Sequence, residues 1–177
     1  MQKRPVGKAV AIFPEQVDLS TPEGAAAAWN RASGKMDAAG LANLSCLPLS
    51  QPELDRVWKS AEKKDIETYN KSQLNGVIVE VLTYKDDFAG VITFLSFPPG
   101  VGRSPYSLRY LGQSNGQWKN MGEDRYPSPE AARAAFEKGK DMIWDDYMQM
   151  AQGQNGGGGG GTTGTSSQPA ADAGTGR

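Results

Sequence analysis

Behind Ser20, apolar residues recur every three or four positions. Ala25, Ala28, Trp29, Ala32 and Met36 form one stripe, with Asn30, Arg31 and Lys35 off it, which is the spacing of an amphipathic helix. A shorter helix through Leu41 and Leu44 follows. In the next element Leu54, Val57, Trp58 and Ala61 form a stripe that the charged run EKKDIE extends, with Ile66 and Tyr69 facing inward. Three helix starts share a hydroxyl residue, an early proline and a first-turn glutamate: STPE at Ser20, SQPE at Ser50 and SPE at Ser128. Ser20 with Glu23, and Ser50 with Glu53, have capping-box spacing, which predicts that each serine accepts from a backbone N–H left unpaired in the first turn.

Past Gly76 the period changes to two. GVIVEVLTY places Val77, Val79 and Val81 on one face and Ile78, Glu80 and Leu82 on the other; AGVITFLSF is similarly rich in branched and aromatic residues. KDDF supplies the hairpin turn between them, and PPGVGRSP a longer connection. YSLRYLGQ reads as a third strand with Tyr106, Leu108 and Tyr110 on one face. Asn115 and Gly116 supply a hairpin turn, and QWKNM returns as a fourth strand. The last helix carries Ala132, Ala135, Phe136, Gly139, Met142, Ile143, Tyr147 and Met150 on a stripe about five turns long. Gly139 is expected to permit close packing. The predicted fold class is α+β, with N-terminal helices packed on a curved antiparallel sheet of about four strands, closed by a long C-terminal helix.

Composition sets the limits of the folded part. From Gly153 the chain is rich in Gly, Ser and Thr and has no large apolar residue, so residues 153–177 are expected to form a disordered tail. Residues 1–16 are expected to be a flexible arm, leaving one domain at 17–152. The apolar run AVAIF is too short for a signal-peptide core and is interrupted by Pro14, so neither a signal peptide nor a membrane span is expected. Lys plus Arg number 19 and Asp plus Glu number 20, which leaves no overall field to attract nucleic acid or an anionic membrane. Histidine is absent, which excludes Ser-His-Asp and Cys-His catalysis and histidine-ligated zinc within this chain. Cys46 is the only cysteine and has no basic sequence neighbour, so it reads as an inert thiol.

Helices followed by a meander whose last strand bears NGQWKNM resemble the cone-shaped α+β fold of the nuclear-transport-factor-two-like superfamily. There a curved sheet wraps a long helix and encloses a pocket, and the likeness covers Ser20 to about Met121. DLSTPEGAAAAW, YNKSQLNGVIVEVLTYKDDFAGVI, GRSPYSLRYLG and GQWKNMGEDRYPSPEAARAAF are similar to bacterial accessory domains of the planctomycete type. Some of those are appended to membrane metallopeptidases of the antibiotic-sensor kind. The resemblance implies a sensing or interaction role outside the cytoplasm; without it, nothing in the sequence argues against the cytoplasm. The peptidase's two metal-binding histidines have no counterpart here, and no catalytic residue is carried over.

The pocket candidates are Tyr84, Tyr106, Arg109, Tyr110 and Trp118, with Glu80 as the one candidate proton acceptor because it is the acid inside a predicted strand. The competing reading has Glu80 facing solvent or pairing with Arg109 across the sheet, and alternation alone does not say which face is concave. The acid pairs in KDDF and WDDY diverge, by half a turn in a strand and about 100° in a helix, so neither makes a metal cage. GEDR reads as a loop in which Arg125 can neutralise either acid. No metal or cofactor is expected. The leading functional expectation is a non-catalytic domain that binds a small apolar ligand or a protein partner. A small isomerase or dehydratase using carboxylate and tyrosine chemistry, and a homodimerisation module, are the alternatives.

Overall fold

Helices lie on both faces of one antiparallel sheet in the computed structural model, which describes residues 1–155. In chain order the elements are β1 (Gln2–Ala9), a 3-10 turn (Val10–Ile12), α1 (Pro22–Gly34), α2 (Ala38–Asn43), α3 (Gln51–Ser60), α4 (Lys63–Leu74), β2 (Val77–Lys85), β3 (Phe88–Phe94), β4 (Tyr106–Ser114), β5 (Gln117–Tyr126) and α5 (Pro129–Asn155). The strands pair in the order β1-β2-β3-β4-β5. The class is α+β as expected, with five strands rather than about four.

The additional strand comes from the residues expected to be a flexible arm. Lys3 pairs with Leu82 and Lys8 with Ile78. Nearly all its side chains are exposed, so β1 has no apolar alternation to read, and ladder hydrogen bonds rather than burial hold it. The register shifts between Pro5 and Lys8, where Gly7 has a φ of 58° that a residue with a Cβ adopts less readily. At the other end α5 continues to Asn155, past the expected tail boundary at Gly153. The remainder of that expected tail, 156–177, lies outside the described residues.

Two of the three predicted caps form as expected. Ser50 accepts from the Glu53 N–H at 3.3 Å, and Ser128 from the Ala131 N–H at 3.2 Å. In α1 the cap is Thr21 instead of Ser20: Thr21 Oγ1 accepts from the Gly24 N–H at 3.2 Å, while Ser20 donates to Asp18 Oδ1 at 2.6 Å. Asp18 has captured the hydroxyl that the capping box required. The stripe expected to run through EKKDIE is broken, because Ala61 and Glu62 are extended (ψ 150° and 137°) and separate α3 from α4. Val57 is 57 % exposed, and no residue of α3 is buried.

Two β-bulges decide which residues share a face. The register shift between Ile78 and Glu80 puts Ile78 and Val81 under α1, and turns Val79, Leu82 and Tyr84 toward α5. The expected trio Val77, Val79 and Val81 is thereby split. A second shift opposite Tyr110 and Leu111 places Asn120 and Glu123 both on the α1 side, with Met121 on the other. Tyr106, Leu108 and Tyr110 share the α5 face as predicted.

On that face Phe136 stacks on Phe88 at 5.8 Å between ring centroids. Two strand glycines make room for α5: a Cβ on Gly90 would lie 2.7 Å from the Phe136 ring, and one on Gly112 2.6 Å from the Tyr147 ring. The close-packing role expected of Gly139 is not found, since a Cβ there would meet only Ile143 at an ordinary 3.4 Å. Met142 also leaves the predicted stripe, being 66 % exposed.

Candidate functional site

The sheet face under α1 changes character along its length. At one end Ile78, Val81, Ala89, Val91, Leu111 and Trp118 pack with Ala25, Ala26 and Ala27. At the other end Thr93, Ser107, Arg109, Asn120 and Glu123 come from β3, β4 and β5, with Asn30 of α1 reaching down to them. This polar end is the candidate site.

Arg109 sits at its centre and is 1 % exposed. Its Nη1 donates to Asn120 Oδ1 at 3.0 Å, and its Nη2 to Asn30 Oδ1 at 3.3 Å and to Glu123 Oε2. The Trp29 ring lies over the guanidinium, 5.1 Å away. Arg125 Nη2 is 2.9 Å from the second Glu123 oxygen, and its guanidinium lies 5.4 Å from the Phe97 ring. Burial opposes the Glu123 anion, but the charges of Arg109 and Arg125 and the hydrogen bond from Arg109 outweigh it and hold the carboxyl below its ordinary pKa. Burial, followed by the charge of Glu123, raises Tyr69 of α4, with both arginines opposing that rise. Tyr69 therefore senses the same charges from the helical side.

Several buried polar atoms here have no partner: Asn30 Nδ2, Thr93 Oγ1, Arg109 Nε and both side-chain polar atoms of Gln73 on α4. Asn30 Nδ2 and Thr93 Cγ2 lie 3.3 and 3.2 Å from where a Cβ on Gly76 would stand, so the amide and the threonine are neighbours. Folded interiors leave few such groups unpaired, because each costs about 1–3 kcal/mol.

The six residues singled out from sequence do not meet. Arg109 and Trp118 lie under α1, and Trp118 belongs to the apolar end, its Nε1 donating to Ser20 O at 3.1 Å. Glu80, Tyr84, Tyr106 and Tyr110 lie on the α5 side. Glu80 Oε2 accepts from Arg133 Nε at 3.0 Å and Nη2 at 2.7 Å, so its partner is on α5 rather than Arg109 or solvent. Tyr84 donates to Asp141 at the surface. Tyr106 packs on Phe94. Burial, hydrogen bonding with Tyr126 and the nearby Asp124 raise Tyr110 well above an ordinary phenol.

GEDR is the last part of β5 rather than a loop, and Arg125 does pair with an acid there. Asn30, Thr93, Ser107, Asn120 and Glu123 escaped the sequence reading. The usable signal was Thr93, Ser107 and Arg109 at alternating positions within otherwise apolar strands.

The acid pairs are likewise dispersed. Asp87 Oδ1 accepts from the Trp144 indole at 3.0 Å, while Asp145 and Asp146 are exposed. Among the described residues no three Cys, Asp or Glu side chains converge as a metal site would require, and no helix is long and apolar enough to cross a membrane. Comparison of the chain with family models, curated proteins and solved structures finds no match in any of the three.

Proposed function

We propose that this is a non-catalytic ligand-binding domain whose site is the buried polar cluster between α1, α4 and the sheet. The observation that carries the reading is the cluster of unpartnered buried groups at Asn30, Thr93 and Arg109, contributed by three separate elements. A set of polar atoms left open in one place supports a polar ligand in preference to the apolar one expected from sequence. The proton-transfer alternative lacks a base: Glu123 is held as an anion between two arginines, and Glu80 is engaged by Arg133 on the opposite side of the sheet. The dimerisation alternative would rest on the outer face of α5, where exposed Met142 is surrounded in sequence by Lys138, Asp141, Asp145 and Asp146. The likeness to the nuclear-transport-factor-two-like superfamily belongs to the same proposal. It is supported by the helix-then-meander order and by α1 lying over the polar end of the sheet, with β1 and α5 as additions.

The decisive variant is Thr93→Val, which keeps the shape and deletes an unpartnered hydroxyl. If the hydroxyl is held for a ligand, the unliganded protein should be unchanged or more stable. Destabilisation by more than about 1 kcal/mol in urea unfolding would mean that Thr93 belongs to a satisfied structural network, and the binding reading would fail.

A further inference from the structure

We infer that Tyr84 and Trp144 form a binding site for an alkylated ammonium group, and that Lys85 occupies it in the structure as a built-in competitor. The site lies on the α5 side of the sheet and shares no residue with the polar cluster under α1, so it stands apart from the binding reading above. Ring geometry is the first argument. The register of β2 against β3 shifts between Thr83 and Lys85, so Tyr84 and Lys85, adjacent in sequence, both reach the α5 side instead of pointing to opposite faces. Lys85 Nζ stands 4.9 Å from the centre of the Tyr84 ring and 5.1 Å from that of Trp144 on α5. Two aromatic faces therefore converge on one ammonium, which is how aromatic cages hold quaternary ammonium groups.

Electrostatics is the second. Each ring is fixed through its polar edge by a carboxylate: the Tyr84 hydroxyl donates to Asp141, and the Trp144 indole N–H to Asp87 Oδ1 at 3.0 Å. Both carboxylates orient a ring and add negative charge beside it, and Asp145 is close enough to oppose ionisation of the Tyr84 phenol. Lys140 also lies 5.3 Å from the Tyr84 ring centre, but Glu137 Oε2 engages it at 2.7 Å. With Lys85 set aside, the uncompensated charges at the rings are carboxylates, and a cation is the group they attract.

The ease with which Lys85 can leave is the third. It is exposed, and among the described residues no carboxylate pairs with it. A cation–π contact at an exposed site is weak, so this flexible side chain can turn into water and vacate its place between the rings. The lysine ammonium has three N–H donors that water satisfies well. A fully methylated nitrogen has none and loses less on moving between the rings, which selects an alkylated ammonium over a primary one.

A lysine that served only to tie the β2–β3 turn to α5 would make the same contacts, so the test removes it. The full chain is titrated by NMR, reading the Trp144 indole N–H signal, with choline, its neutral carbon isostere dimethylbutanol, and sodium chloride at matched ionic strength. A peptide bearing one trimethyl-lysine, set against its unmethylated form, provides the same group on another chain; the tighter of choline and peptide names the carrier. The favoured probe should move the signal saturably. Lys85→Gln should tighten its apparent Kd several-fold, because the rings are otherwise open only in the fraction of molecules with Lys85 turned away. Tyr84→Leu, with its fold checked from the same spectrum, should lose the response. Equal responses to choline and dimethylbutanol would leave only an apolar surface, and equal responses to choline and sodium only screening; either overturns the inference. An affinity that Lys85→Gln leaves unchanged or weakens would overturn it too, as would silence of that variant toward both choline and the trimethyl-lysine peptide. The Lys85→Gln arm decides the matter even where Tyr84→Leu fails to fold, since an exposed lysine can be replaced without disturbing the core.

Discussion

Replacing Arg109 with methionine removes the guanidinium while retaining most of the stem volume, so the main loss is polar. Three acceptors, on Asn120, Asn30 and Glu123, are left without their donor. Taken singly, each would cost about 1–3 kcal/mol, and breaking a buried ion pair typically costs about 3–5 kcal/mol in all. The value here should fall at the lower end, about 3 kcal/mol, because Glu123 keeps Arg125 at 2.9 Å and its side chain is 18 % exposed. Urea unfolding at neutral pH, followed by circular dichroism, measures the loss. Adding Glu123→Gln to Arg109→Met should cost less than the sum of the two single changes, because both disrupt the same ion pair.

The acid limb supplies an independent check. The folded-state pKa of Glu123 is depressed, so its contribution is present above the unfolded value of about 4.3 and is lost as pH falls through the lower folded value. Arg109→Met should flatten that part of the stability curve. A single variant within about 0.5 kcal/mol of wild type, with the acid limb unchanged, would refute the placement of Arg109 in a buried ionic cluster.

Gly90→Ala and Gly112→Ala should each destabilise by about 1–3 kcal/mol in thermal unfolding, because the new methyl would meet the Phe136 or Tyr147 ring; neutrality would show that α5 can move away. Thr21→Ala should cost about 1 kcal/mol by chemical denaturation, and more than Ser20→Ala; the reverse order would restore Ser20 as the cap. Glu80→Gln should cost about 1 kcal/mol, since its partner Arg133 is 27 % exposed and can turn to water. A loss above about 3 kcal/mol would show a fully buried pair.

Sequence pattern alone conveyed the class, the closing helix, the helix starts at Ser50 and Ser128, and the Asn115–Gly116 turn, where both residues have positive φ (52° and 74°). These are local features, determined by residues within one turn or one alternation. What it could not convey depends on distant partners. β1 is an edge strand with almost nothing to bury, so its only signature is the ladder it makes with β2. The bulges near Val79 and Met121 change the facing of residues beyond them, and no residue there announces the change. Arg109 was singled out from the sequence as a pocket candidate. Its companions were not, because Asn30 lies off the apolar stripe of α1 and Glu123 sits in a run that reads as loop.

The pairing of β1 also bears on the order in which the protein assembles. β2, β3, β4 and β5 are joined in sequence by antiparallel connections, so that meander can form while most of the chain is still open. β1 must be brought back across all four following helices before Lys3 can meet Leu82, and its half-buried Val6 recovers little of the closure entropy. β1 should therefore join late in folding and open first in the native state. Native-state hydrogen exchange should find its amides opening at low free energy, while those of β3 exchange only by global unfolding. Equal protection of the two strands would instead place the N-terminal strand in the same cooperative unit as the meander.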